Sequence, residues 1–226
     1  MHKFKFLFFV LLFAISCRNS HDDLVTIGIY SFDFPKNFSL TEEKGIDSYV
    51  GKVTNKKISL DFDYGYYSNT LILTPEEYLD KNIWFEQFID HCNQETSSDQ
   101  RVNKSDFTIL NIRKANFNDN LNNTSSEYVA TLKSKKGTQF DYSIQIPEII
   151  NAYNILKDTI QNCSRKIILA KDPKKGITGI YLQDLNGFSK SINSSLALSM
   201  STSNLTKQQQ DSILKIFYTV KINNPK

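Results

Sequence analysis

The chain has 226 residues, of which 40% are hydrophobic and 23% are charged. Such a chain can bury a sizeable core and is not expected to be disordered. Its formal net charge is only +3, and both signs are mixed along the sequence, which argues against a nucleic-acid partner because such partners need a basic patch.

The first 16 residues have the pattern of a secretory signal peptide. Lys3 and Lys5 lie at the start, and the apolar run FLFFVLLFAI follows at 6–15. This run is too short to cross a bilayer, which takes about 20 residues, but its length suits a signal peptide. Cleavage would remove both lysines, so we expect a mature chain close to neutral.

Cys17 follows the small residues Ala14 and Ser16. A cysteine at this place resembles the lipobox of bacterial lipoproteins, although that family usually has Leu where this chain has Ala14. The resemblance implies that Cys17 receives a diacylglycerol, becomes the first mature residue and carries acyl chains such as palmitate on its sulfur and amine. Residues 17–25 would then form a lipidated tether. The alternative is an ordinary secreted protein whose Cys17 lies near the cleavage point.

The tether carries Asp22 and Asp23 shortly after Cys17. Acidic pairs at this place resemble the surface-export signals of some Bacteroidota lipoproteins, and a solvated linker is the alternative. Arg18 stands where Asp would favour retention in the inner membrane, so the resemblance implies the outer membrane and leaves the periplasmic or surface face open. No second apolar stretch of membrane length follows, so the expected membrane contact is the lipid anchor.

Residues 26–226 are expected to form a single globular domain of the α+β class. The stretch KKISLDFDYGYYS alternates apolar and polar residues, which predicts a half-buried strand with a hairpin turn at Thr54–Lys57 before it. A second hairpin is predicted around Gly137. Further strands are predicted at Thr108–Arg113, Ile167–Lys171, Ile177–Leu182, Leu196–Ser201 and Phe217–Ile222.

Three helices are predicted from their starts and their apolar spacing. Thr74 and Glu77 flank Pro75 as a capping box, and Thr206 with Gln209 opens another helix. A third helix is predicted after Pro147, because its apolar residues keep helical spacing: Ile149, Tyr153, Leu156, Ile160 and Cys163.

The order of these elements predicts an antiparallel β-sheet of about six to eight strands flanked by about three helices. Two parts resemble the PsbP-like fold: FDFPKNFSL at 32–40, which leads into a hairpin, and NLTKQQQDSIL at 204–214, between two strands. The stretches GIDSYVGKV and FDYGYYSN are similar to uncharacterised lipoproteins of the Bacteroidota. These resemblances imply a fold and a location but no activity.

Histidine is too scarce for the common catalytic and metal sites. After His2 in the signal and His21 in the tether, only His91 remains in the domain. Its neighbour Cys92 would point about 100° away around a helix, so the two do not form a catalytic dyad. The usual zinc ligand sets are excluded by count, and no phosphate-binding or nucleophile motif is present. No cofactor and no metal are expected.

Paired carboxylates are the remaining candidate for catalysis. Asp61 and Asp63 share one strand face at a spacing of about 7 Å, and Asp141 on another strand is a possible third member. Solvation on the wet face of an antiparallel strand is the favoured explanation, because the alternation alone accounts for these aspartates.

The group Tyr64, Tyr66 and Tyr67 suggests sugar stacking, but Tyr64 and Tyr66 lie on the face predicted to be core, so packing is expected for those two. For Trp84, sugar stacking and core packing are both open.

Two functional hypotheses follow. The first is a membrane-tethered, non-enzymatic module that binds a partner protein, a polymer or an envelope component. The second is a small hydrolase that uses Asp61 and Asp63.

Cys92 and Cys163 are the two cysteines that remain if Cys17 is lipidated. The compartment outside the inner membrane is oxidising, so a disulfide between them is possible. The alternative is that both are small buried hydrophobic residues lying far apart.

Overall fold

The computed structural model describes residues 23–94, 101–116, 119, 127–189 and 194–223. About half of these residues lie in antiparallel strands, which form three sheets of seven, three and three strands, and the same ranges hold four α-helices. The prediction of a mainly antiparallel structure with helices is confirmed, while the strands are divided among three sheets and not collected into one.

The largest sheet has the strand order β3-β4-β5-β12-β11-β10-β9, with every neighbouring pair antiparallel. The hairpin predicted around Thr54–Lys57 is confirmed as β4 and β5. The strands are β3 (Ser39–Glu43), β4 (Tyr49–Thr54), β5 (Ser59–Gly65), β9 (Tyr153–Ile160), β10 (Cys163–Ala170), β11 (Ile177–Ser189) and β12 (Ser194–Ser203).

One face of this sheet, called here the helix face, is covered by α4 (Lys207–Tyr218) and by a three-stranded sheet. That smaller sheet consists of β1 (Asp23–Ile27), β2 (Tyr30–Phe34) and β13 (Lys221–Ile222). Since β1 begins at Asp23, the last residues assigned to the tether pair with β2. The capping box that opens α4 is confirmed, because the Thr206 hydroxyl accepts a hydrogen bond from the Gln209 amide.

A second hydrophobic cluster lies between two helices and the third sheet, and aromatic side chains make up much of it. The helices are α1 (Pro75–Asp80) and α2 (Ile83–Gln94). A 3-10 turn at Lys104–Asp106 leads into β6 (Phe107–Lys114), which pairs with β7 (Tyr128–Ser134), and β7 pairs with β8 (Gln139–Ile144). The hairpin predicted around Gly137 is confirmed, and its φ of 91° explains the glycine.

The helix predicted from Ile149 to Cys163 is wrong. Only α3 (Glu148–Asn151) is helical, and the rest forms β9, a turn and β10. Gln161 and Asn162 have positive φ values of 44° and 65°, which is the geometry of a two-residue hairpin turn.

Two smaller differences concern element ends. The helix predicted after Thr74 is broken at Asn82, whose φ is 52°, into α1 and α2. The strand predicted at Phe217–Ile222 is reduced to β13, because α4 continues to Tyr218.

Candidate functional site

The face of the large sheet opposite α4 carries a line of polar side chains, called here the polar row. The register places Asp63 opposite Ser199, Ser199 opposite Tyr181, Tyr181 opposite Lys166, and Lys166 opposite Lys157. Directly opposite residues on antiparallel strands point to the same face. The five side chains therefore cross the sheet side by side, from β5 to β9.

Lys166 is the buried cation of the polar row, with a side chain only 3% exposed. Its Nζ donates hydrogen bonds to Glu77 Oε2 at 2.9 Å and to the carbonyl oxygen of Ile72 at 3.0 Å. It also lies 5.6 Å from the centre of the Tyr181 ring. Burial lowers the pKa of Lys166, and the hydrogen bond and charge of Glu77 oppose that shift.

Glu77 joins the polar row to α1. Burial on its own would raise the pKa of Glu77, but hydrogen bonds from Lys166 and the Thr74 amide hold it below the usual value. Its second carboxylate oxygen accepts a hydrogen bond from Lys157 Nζ at 3.2 Å. The same side chain completes the capping box at Thr74, which confirms that predicted motif. The ammonium of Lys166 thus fastens the start of α1 to the sheet.

Asp61 and Asp63 share one face but have different surroundings. Asp63 is half-buried, and its Oδ1 is buried with no hydrogen-bond partner among the described residues. Asp61 is exposed, and Lys52 Nζ lies 3.9 Å from its carboxylate. Asp141 does not join them: it lies on β8 in another sheet, where it accepts hydrogen bonds from Thr131 and Arg113.

Asp61 lines an open groove of about 430 Å³, called here the polar groove. The groove lies where β5 begins, β11 begins and β12 ends. Within the described residues, the polar side chains of the groove form no hydrogen bonds to other side chains or to the backbone. Asp61 has one weak ion pair, with Lys52 at 3.9 Å. The lining residues are Lys57, Ile58, Ser59, Asp61, Ile177, Ser201, Thr202, Ser203, Asn204 and Leu205.

A smaller cleft of about 270 Å³ lies between α1, α3 and β9. Ile150, Tyr153 and Ile155 form its apolar wall, and Lys157 and Lys171 lie on its cationic side. Lys157 is already engaged by Glu77. The cleft therefore borders the ion pair that joins α1 to the sheet.

The remaining cysteines lie in different clusters and are not joined by a disulfide. Cys163 is buried in the first cluster, where its Sγ accepts a hydrogen bond from the Tyr30 hydroxyl at 3.8 Å, and burial raises the pKa of its thiol. Cys92 packs against the second cluster from α2. The predicted meeting of the two residues depended on a helix that is in fact β9 and β10. Cys17 lies outside the described residues.

The aromatic candidates divide between packing and exposure. Tyr64 belongs to the first cluster, with its ring centre 6.1 Å from that of Tyr30, and Trp84 is buried against Tyr142 in the second. Tyr66 and Tyr67 are exposed. The expectation that Tyr66 lies on the core face is wrong, because the strand ends at Gly65 and its alternation does not continue. His91 is exposed on α2. Stacking on a sugar is therefore open to Tyr66 and Tyr67, while Tyr64 and Trp84 serve the core.

Sequence reasoning missed Lys166, the buried cation of the polar row. One signal was available, since Lys166 directly precedes the apolar run IILA in a predicted strand region. A lysine beside such a run is rarely buried unless it is paired, so a partner could have been sought. The partner itself, Glu77, lies 89 residues earlier and required the fold.

No protein-family model matches the chain, and comparison with curated proteins finds no significant match. Within the described ranges, no helix is long and apolar enough to span a bilayer. The same ranges hold no group of three or more His, Cys, Asp or Glu side chains placed to bind a metal ion. The function is therefore inferred from the chain's own residues.

Proposed function

We propose that the chain is a lipid-anchored, non-enzymatic binding module of the bacterial envelope. In this proposal Cys17 carries the anchor, the membrane is the outer membrane, and the polar groove holds an envelope component rich in hydroxyl groups. The observation that carries the binding role is the polar groove, whose hydrogen-bonding side chains are left unused by the rest of the described chain.

The chemistry of the polar groove suits a hydroxylated ligand. The hydroxyls of Ser59, Ser201 and Ser203 can each donate and accept, and the amide of Asn204 offers both functions as well. Asp61 adds an acceptor and Lys57 a donor. A ligand hydroxyl also donates and accepts, so one sugar-like unit could satisfy several of these groups without breaking any hydrogen bond inside the protein.

The positions of these groups are held by strand pairing. Ser201 lies directly opposite Asp61 in the β5–β12 ladder, and Ser203 lies opposite Ile177 in the β11–β12 ladder. Side chains mounted on paired strands are held more accurately than side chains on loops. The groove therefore presents a pattern of donors and acceptors that does not need to be ordered by the ligand, which limits the entropic cost of binding.

The finer fold assignment belongs to the same proposal. We propose a single α+β domain related to the PsbP-like fold, with a second hydrophobic cluster inserted between β5 and β9. In support, FDFPKNFSL runs from β2 through a turn into β3, and NLTKQQQDSIL leads from β12 into α4, with β13 after it.

The binding role is tested with the full chain and two envelope polymers, purified peptidoglycan sacculi and lipopolysaccharide. We expect co-sedimentation with one of them, weakened about tenfold or more by Asp61→Asn combined with Ser201→Ala, because two hydrogen-bonding groups are altered. The matched control is Asp90→Asn with Ser105→Ala, two exposed sites outside the groove, which should bind like the unmodified chain.

Two results would contradict the proposal in different ways. Equal binding by the groove variant and the control would show that the groove is not the binding surface. Release of soluble fragments from either polymer, abolished by Asp61→Asn or Asp63→Asn, would instead favour the carboxylate-dependent hydrolase.

A further inference from the structure

One end of the seven-stranded sheet, called here the lysine end, collects basic residues in three connections. They are the turn between β2 and β3, the turn between β4 and β5, and the loop between β10 and β11. Together the turns at 35–38 and 55–58 and the loop at 171–176 hold six lysines and one aspartate: Lys36, Lys56, Lys57, Lys171, Lys174, Lys175 and Asp172. Lys207 opens α4 at the same end, where its Nζ lies 3.1 Å from the Asp211 carboxylate.

Most of this charge is not neutralised within the described part of the chain. The ammonium groups of Lys36, Lys56 and Lys174 are exposed and form no ion pair there. Lys175 lies 3.7 Å from Asp172, and the two side chains are 84% and 52% exposed, so this contact is weak. The lysine end therefore presents a net positive surface.

The opposite end of the sheet lacks this excess in the connections that the structure describes. The turn at 44–48 holds one lysine and one aspartate, Lys44 and Asp47, and the turn at 161–162 holds no charged residue. Among the described connections of the sheet, the excess of positive charge is thus confined to one end.

Strand β1 also begins at the lysine end. Asp23 pairs with Phe34, a turn closed by a hydrogen bond from the Phe38 amide to the Pro35 carbonyl follows, and Ser39 pairs with Thr54. Six residues, 17–22, separate a lipid at Cys17 from β1. Even fully extended they reach only about 20 Å, so such an anchor would keep this end close to the bilayer.

We propose that the lysine end rests on the anionic phospholipid headgroups of the membrane that holds the anchor. The orientation of the domain, with the lysine end toward the bilayer, depends on the proposed lipid anchor. The positive charge of the lysine end does not depend on it. Each lysine close to an anionic bilayer strengthens attachment by about fivefold, and added salt screens the attraction. Ser59 and Ser203 lie at the same end of the sheet, so the mouth of the polar groove would open near the headgroup layer.

The test uses the full chain, with its N-terminal segment as expressed in a bacterial host, mixed with two kinds of vesicle. One kind is phosphatidylcholine alone, and the other contains added phosphatidylglycerol. Flotation reports attachment, and acetylation by an amine reagent, read by mass spectrometry, reports the exposure of each lysine. We expect Lys36, Lys56 and Lys174 to react at least about threefold more slowly on the anionic vesicles. This protection should disappear at about 1 M salt, where the Debye length is about 3 Å.

Two triple variants distinguish the effect of the lysine end from the effect of net charge. Lys36→Glu, Lys56→Glu and Lys174→Glu together should remove the difference between the two kinds of vesicle. Lys44→Glu, Lys133→Glu and Lys136→Glu change the net charge equally at exposed sites away from the lysine end, and should leave the difference intact.

Each flotation result decides between the anchor and the surface. Flotation on both kinds of vesicle, with equal acetylation of all exposed lysines, would contradict the proposed contact between the lysine end and the headgroups. It would agree with the lipid anchor. Flotation on the anionic vesicles alone, if the triple variant of Lys36, Lys56 and Lys174 loses it, would support the contact of the lysine end with the headgroups. It would contradict the lipid anchor. Flotation on neither kind would overturn both.

Discussion

The two faces of the seven-stranded sheet are closed in different ways. On the helix face, β2 and α4 cover aromatic and aliphatic side chains, and Phe32, Met200 and Ile213 are fully buried. On the opposite face, α1 meets the polar row through the ion pair of Lys166 and Glu77, and the polar groove stays open to solvent. Apolar packing should therefore supply most of the stability, while the opposite face presents the groups available to a ligand.

The largest expected effect is on the helix face. Phe32→Ala removes a fully buried ring from the first cluster and should lower the free energy of unfolding by about 3–5 kcal/mol, measured by urea denaturation. Leu156→Ala is the control, because that side chain lies on the same face at the edge strand β9 and is 45% exposed. A loss for Phe32→Ala no larger than that of the control would show that the helix face is not the main source of stability.

The next effect concerns the ion pair on the opposite face. Lys166→Met should cost about 2 kcal/mol, because it leaves the partly buried carboxylate of Glu77 without its closest cation, although Lys157 remains nearby. Adding Glu77→Gln should recover part of the loss, since no uncompensated charge is then left. If the double variant loses as much free energy of unfolding as the two single variants lose in sum, the two side chains do not act as a pair.

A smaller effect is expected in acid. Because the pKa of Glu77 is lowered by hydrogen bonds from Lys166 and Thr74, its contribution to stability is present above the unfolded-state value of 4.5 and is lost as the pH falls through the folded-state value. The unmodified chain should therefore lose more stability than the Glu77→Gln variant as the pH is lowered from about 5 to about 3. Parallel losses in thermal melts of the two proteins would contradict the assignment.

The smallest effect is expected from the two aspartates of β5. Asp61→Asn, at an exposed site, should change the free energy of unfolding by no more than about 0.5 kcal/mol. Adding Asp63→Asn should give only a small further gain, because the Asp63 Oδ1 is buried without a hydrogen-bond partner among the described residues. A large gain in stability on removing the two charges would indicate mutual repulsion at a shaped site. That outcome would favour the hydrolase.

Local patterns in the sequence predict much of the fold. The capping boxes at Thr74 and Thr206 and the hairpins before Ser59 and around Gly137 depend on residues close in sequence, and all four are confirmed. A helix was wrongly predicted after Pro147, because β9 is a largely exposed edge strand. Its apolar and polar residues alternate only weakly, and its apolar residues also match helical spacing.

The candidate site was harder to predict than the fold. Asp61 was recognised because it alternates with core residues on one strand. The polar row and the groove join β5, β11 and β12, and Lys166 meets Glu77 across 89 residues, so both depend on the register of distant strands. No periodicity within one segment encodes that register.

The lipid on Cys17 is the point on which the location, the direction of the domain and the choice of an envelope ligand all depend. It is tested by growing cells that express the full chain with labelled palmitate, and by following both label and protein through membrane fractionation. We expect label on the unmodified chain and on a Cys92→Ala control, both in the membrane fraction, and neither label nor membrane attachment for Cys17→Ala. An unmodified chain without label, or a Cys17→Ala chain that stays with the membrane, would contradict the account.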